Sequence, residues 1–420
     1  MTNNRIIYAT VQLSIKDNRC DPTNLIEGIL DDSTLASGIS AVYTGNVNLS
    51  SSVSGTWGAG AGQVKIRSDG ITEFLRYSGF NTGSGLEISE RGVNGSTASA
   101  HLAGSVVRVP GWQVPFGVQS ASFGTTFNLE DVFQLGQLDA YENVEGIPEI
   151  EVAAERVLDG TKPFWLMVSD PDFTDLKGRT SDFRADFALS VYPDTQSSAI
   201  GTPDSTVVAS GMFVSAWSAS LPADGNFTES ITLVGNDKSW GLEEGVPSGI
   251  FGTSDAYDAR VVGSGVQRSE DYDPTNSTLP ADIPSFDHIQ SIEVSVDITR
   301  EEIFELGQKT PFFRAVSFPI EVTSTFETIT DKGDLVNAKG DGSDNLVNRT
   351  IIIKTKGGLR INLGTKNKLS SVNFDGFDAG GGNGTVQFEY TNSNALTITH
   401  DQFTDPFKTN VDLPGFSLSS

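Results

Sequence analysis

Between Ile289 and Ile298 the chain alternates, with Ile292, Val294, Val296 and Ile298 apolar and Glu293, Ser295 and Asp297 between them. An alternation of period two marks a strand with one buried face. The period then changes. Thr299-Arg300-Glu301-Glu302 has the form of a capping box, in which a hydroxyl accepts from an early helical amide and Glu302 reaches back to the cap's own amide. Ile303, Phe304 and Leu306 follow as a short apolar face, and Gly307 supplies the left-handed residue on which a helix stops. The pattern predicts a strand followed by a helix of about two turns.

The same pattern is written once before. QSASFGTTFNLEDVFQLGQ starts at Gln119 and QSIEVSVDITREEIFELGQ at Gln290, an offset of 171, and the two agree at seven of nineteen positions. In the earlier copy Asn128 takes the place of the cap, Val132, Phe133 and Leu135 supply the apolar face, and Gly136 ends the predicted helix. Both apolar sets are expected to pack on their own sheets. The likeness continues through Pro148 and Pro319, each before a strand-like run, and returns between 210–237 and 367–394, where Gly225-Asn226 stands over Gly382-Asn383. There the offset is 157, so the second copy is 14 residues shorter (171 − 157), most simply in the region of 170–205. Two copies are too few for a solenoid or propeller.

The expected fold is therefore mainly β (α+β): two tandem β-sandwich or barrel domains, each with one short helix, and a β-rich N-terminal insert. The divisions are 1–20, a strand joining the first domain; 21–110, the insert; 111–237, the first copy; 238–288, a linker or arm reaching a neighbouring subunit; 289–402, the second copy; and 403–420, a tail.

Composition narrows the function. Acidic residues outnumber basic ones 54 to 28, a formal charge of −26, so nothing in the composition attracts a phosphate backbone and a sequence-specific nucleic-acid binder is not expected. No run approaches the roughly 20 apolar residues of a membrane helix, and no membrane partner is expected. Cys20 is the sole cysteine, which rules out an intrachain disulfide and a Cys-rich metal site. The three histidines, His101, His288 and His400, lie in separate segments without ligand spacing. His101 near Arg91, Glu90 and Ser96 suggests an acid/base cluster, but local hydrogen bonding at a turn is the preferred reading. No enzyme activity, catalytic residue, metal or cofactor is expected.

The stretches 117–160, NRIIYATVQLSI at the start, 224–237 and the second copy from Ile289 resemble the tail tube proteins of tailed bacteriophages; residues 76–107 are similar to a segment found in phage tail and baseplate proteins. The resemblance implies a virion structural protein, assembled in a host bacterial cytoplasm and resident in the tail. Such subunits form rings that stack into a hollow tube; two units per chain would let three chains close a pseudo-sixfold ring. The implied partners are further copies of the chain and other tail proteins (sheath, baseplate, terminator), with DNA passing through the lumen without specific binding. The alternative is another phage structural component, a baseplate hub or a decoration or adhesion protein whose insert binds glycans.

Overall fold

The computed structural model describes residues 11–17, 33–50, 62–68, 71–82, 85–93, 97–108, 112–136, 138–169, 176, 184–192, 203–241, 265–283, 288–307, 311, 313–337, 346–376 and 383–402. The fold is mainly β. After β1 (Val11–Asp17), a six-stranded sheet is built from β2 (Ser33–Thr34), β3 (Gly45–Asn48), β4 (Gly62–Ser68), β5 (Ile71–Thr82), β6 (Gly85–Val93) and β7 (Val106–Arg108), in the order β2-β7-β4-β5-β6-β3. It has an apolar cluster of its own around Val64, Ile66, Leu75, Tyr77 and Leu86.

The first repeat unit contains β8 (Trp112–Gln113), β9 (Val118–Thr126), β10 (Leu129–Phe133), β11 (Ala140–Glu145), β12 (Glu149–Val157), helix α1 (Phe164–Val168), β13 (Arg184–Val191), β14 (Ser205–Pro222), β15 (Thr228–Gly235) and β16 (Asp237–Gly241). The second contains β17 (His288–Asp297), β18 (Arg300–Ile303), β19 (Phe313–Val316), β20 (Glu321–Ile329), β21 (Ile352–Lys354), β22 (Leu359–Asn362), β23 (Lys368–Asp375), β24 (Thr385–Ser393) and β25 (Thr397–His400).

The two units share one strand order. The first reads β9-β12-β15-β14 and the second β17-β20-β24-β23, every pair antiparallel. Registers agree as well: Ser120 faces Glu155 as Ser291 faces Glu327, and Ile150 faces Gly235 as Val322 faces Asn392. Even the irregularities coincide. In each first strand the same glutamine is left unpaired by a bulge, and its side-chain amide donates to the carbonyl two residues back, Gln119 to Gly117 (3.1 Å) and Gln290 to His288 (3.2 Å). A second bulge falls between Val214 and Ala216 in β14 and between Leu369 and Ser371 in β23. A bulge re-aims a strand by one inserted residue, so both units bend at matching places.

The predicted helices at 129–136 and 300–307 do not form. β10 and β11 make one hairpin and β18 and β19 another, in the same register. The intended caps close the hairpin bases: Gly146 N–H donates to the Asn128 carbonyl (2.6 Å) as Ser317 N–H donates to that of Thr299 (2.9 Å). The Asn128 side-chain amide donates to the Ile147 carbonyl, and Glu302 pairs across the strands with Arg314 at 2.5 Å instead of capping. Gly136 (φ 92°) and Gly307 (φ 95°) are left-handed as a helix stop requires, but they turn the hairpin tips. The supposed core residues Val132, Phe133, Leu135, Ile303, Phe304 and Leu306 are all exposed, Leu135 and Leu306 completely. A set of three apolar residues within four positions is too short to separate a helix face from a strand pair, and among the described residues nothing covers these side chains.

One α-helix exists among the described residues, the five-residue α1, and it was not predicted. It is wholly buried, with Trp165 edge-on to Trp217 at 5.8 Å. With the three-stranded sheet β21-β22-β25, it contributes to the one apolar cluster that covers one face of the β9–β24 strands. The described part of the 238–288 segment does not reach outward. β16 pairs with β14, and residues 265–283 bond to their own chain, Gln267 to Leu158 and Phe227 of the first unit, Thr278 to Ile352 of the second. Asp282, nearly buried, is held by the Arg349 guanidinium through both oxygens and by the Tyr390 hydroxyl. The segment is a strap across the two units; residues 242–264 lie outside the described residues.

Candidate assembly surface

The units are joined by their sheets. The second half of β14 pairs with β17, from Ala216 opposite Asp297 to Pro222 opposite Ser291, so eight strands run continuously as β9-β12-β15-β14-β17-β20-β24-β23. The first half of β14 pairs on the same side with β13, which leads on to β1 and β8. Alternation sends Trp217, Ala219 and Leu221 of β14 and Ile292, Val294 and Val296 of β17 into the core, where all are buried and Val294 has no exposure. Polar locks reinforce the seam. Ile298 N–H donates to the Ser215 carbonyl (2.6 Å), Ala223 N–H to that of Gln290 (2.6 Å), and Arg300 Nε to that of Val214 (3.0 Å), with the Arg300 guanidinium 5.0 Å over the Phe213 ring.

At the far ends two strands have one free edge each. Among the described residues β9 pairs only with β12 and β23 only with β24. Their inward side chains are incompletely covered: Ala121, Phe123, Thr125 and Val372 are half-buried and Phe374 is 40% exposed. An unprotected edge offers a row of unpaired N–H and C=O groups to another strand. Neither edge is blunted by proline, and β9 carries no charge at all.

Among the described residues, the other face of these eight strands carries half-buried and exposed side chains, with Phe213 at its margin covered by Arg184 and Arg300. Its residues are the polar half of each alternation, including Glu149, Glu151, Glu155, Glu293, Asp297, Glu321, Glu327, Glu389 and Asp375 among serines and threonines. Among the described residues Lys368 is the single lysine or arginine that the eight strands themselves place on it, with Arg184 of β13 and Arg300 of β18 at its margin over Phe213.

The cluster considered around His101 is a buried ion knot with a different acid. Glu73 of β5, which has no exposure, accepts from Arg91 Nε (2.6 Å) and Nη2 (2.7 Å), from the Gly92 and Ser99 amides (3.0 Å each), and lies 2.9 Å from His101 Nε2. Arg91 also donates to the carbonyls of Ser40, Tyr43 and Ser99. Glu90 pairs across the strands with Arg76 (2.7 Å), outside the knot, and Ser96 lies outside the described residues. With every Glu73 lone pair engaged, the arrangement ties strands to loops and has no free base to offer a substrate. His288 is exposed at the start of β17, and His400 is buried, its Nδ1 accepting from Gln402 N–H. Among the described residues no three metal-ligating side chains come together, and no helix is long and apolar enough to cross a membrane.

Burial of Glu73 pushes its carboxyl up, but the Arg91 and His101 bonds outweigh that and hold it at about 2 against an ordinary 4.5. A depressed carboxyl stabilises the fold fully above pH 4.5 and loses that contribution as pH falls toward 2. The expected loss is about 3 kcal/mol across that window. Hydrogen exchange of the β4–β6 amides at pH 6 and at pH 3 reads it directly: protection falls in the wild type, whereas a Glu73→Gln variant starts low and changes little.

Neither a known family model nor any curated protein matches the sequence.

Proposed function

We propose that the chain is a tail tube subunit of a tailed bacteriophage, three copies of which close a pseudo-sixfold ring, with rings stacked into a channel for DNA. One observation carries the reading: two like units already stand side by side in one sheet, and the pair ends in the same two kinds of strand that join it in the middle. A contact between unlike edges repeats until it closes or runs on as a helix. Three chains of two units close at six.

The acidic face of the sheet suits the wall of such a channel. Its carboxylates repel phosphates, and serines and threonines between them hold water without binding a polyanion. A lining of lysines would instead retain the passing strand at many points. The hairpins, with apolar side chains in solvent, suit contacts between stacked rings.

Negative-stain electron microscopy of the purified protein tests the proposal. Rings with a central opening and sixfold outline, or tubes built of them, are the expected result. Monodisperse monomers at every concentration, above all monomers that bind glycans, would replace it with the adhesion reading.

A further inference from the structure

We infer that β23 of one chain pairs with β9 of a second copy in the register of the internal β14–β17 seam, so that the edge beside Phe123 and the edge beside Phe374 are two halves of one joint. The inference deepens the ring proposal and rests on it only in requiring a second copy; the seam that serves as template is in the chain itself.

The register follows by substitution. Common bonding to their hairpin neighbours places β23 on β14, Val372 standing for Trp217 and Phe374 for Ala219, because Trp217 faces Ile231 as Val372 faces Phe388. In the same way β9 takes the place of β17, with Phe123 standing for Val294 and Gly124 for Ser295. The pairs Ala219–Val294 and Ser218–Ser295 of the seam then become Phe374–Phe123 and Asn373–Gly124 between chains.

Burial supports the match. Val294 and Ala219 are sealed in the seam, whereas Phe123 and Phe374, at the same places in their units, lie partly open. Pairing would bring two aromatic rings face to neighbour on the core side, a cross-strand pair that stabilises antiparallel sheets. Besides these pairs, the joint differs from the seam in its polar lock. Arg300, which bonds to the Val214 carbonyl and covers Phe213, is replaced by Leu129, and Phe213 by Lys368. Without that arginine the joint between chains is the weaker of the two, so rings separate into chains before chains separate into units.

Disulfide trapping in a Cys20→Ser background tests the register. Gly124→Cys with Asn373→Cys reproduces the geometry of the internal control pair Ser218→Cys with Ser295→Cys, and a Cβ at Gly124 meets nothing nearer than 3.7 Å. Directly opposed antiparallel residues lie within disulfide reach. The control is expected to give an intrachain bond, and the 124/373 pair covalent dimers and trimers on a denaturing gel. Thr126→Cys with Asp375→Cys, four residues out of register, is expected to link on the order of tenfold less. Rings by microscopy without 124/373 links, or with equal linking of the shifted pair, overturn the joint and leave the ring proposal standing. Links in open filaments that never close support the joint and overturn the ring. Absence of both links and assembly overturns both.

Discussion

Phe374→Lys is expected to abolish assembly while leaving the monomer folded. Phe374 lies at the rim of the apolar cluster and is 40% exposed, so in an isolated chain a lysine there extends its ammonium into water. In the joint the same position takes the place of Ala219, which is buried. An unpaired charge held there costs several kcal/mol, enough at about 3 kcal/mol to weaken each joint on the order of a hundredfold. Sedimentation velocity should find monomers where the wild type sediments as rings, with the thermal midpoint moved by no more than about 3 °C. Ala219→Lys makes the equivalent change at the internal seam, where the side chain is buried against Val294, and is expected to prevent folding. If Phe374→Lys rings form at wild-type concentrations, the edge at β23 is not the joint.

Glu229→Ala is expected to lower the stability of the main core by about 3–5 kcal/mol. Glu229 is buried in β15 and accepts from the Phe164 amide (2.8 Å), the Trp165 amide (3.1 Å) and the Trp217 indole N–H (2.8 Å). Those bonds fix α1 against β14 and β15. Removing the carboxylate strands three donors in an apolar interior and leaves the neighbouring Arg156 guanidinium, itself unexposed, with one acidic partner fewer. Urea unfolding followed by tryptophan fluorescence measures the loss as a lower midpoint. Glu229→Gln keeps one acceptor oxygen and should recover part of it. Burial pushes the Glu229 carboxyl above its ordinary 4.5, though Arg156 and the three donors oppose the rise. For an acid raised on folding, stability is greatest below 4.5 and declines as pH climbs from there, the reverse of Glu73. A mild-acid optimum in the core and an acid-labile N-terminal sheet are the combined expectation.

The two pH trends arise from very different legibility. Arg91 and His101 stood out in the sequence, but their acid did not: Glu90 is adjacent to Arg91, yet the side chains of neighbouring strand residues point to opposite faces. Glu73 reaches Arg91 because β5 lies beside β6, and His101 because the loop after β6 folds back over β5 to bridge Ile39. Glu229 drew no attention because a carboxylate among alternating residues reads as solvent-facing until its strand's inner face is known. Its partner helix was equally hidden, five apolar residues between Pro163 and Ser169 being shorter than any periodic signal.

What the sequence determined alone is the repetition and the alternation. Matching residues at a fixed offset lead to matching registers and bulges, because strand pairing follows the side-chain pattern and a repeated pattern repeats its pairings. Tertiary structure decided what the pattern left degenerate. Leu129–Gly136 and Arg300–Gly307 satisfy helix and hairpin rules about equally, and only the lack of an underlying surface selects the hairpin. The seam between β14 and β17 was likewise beyond reading, since a free edge bonds to any strand of suitable shape through backbone groups that every residue possesses. Which edge meets which is settled by where the folded units bring them.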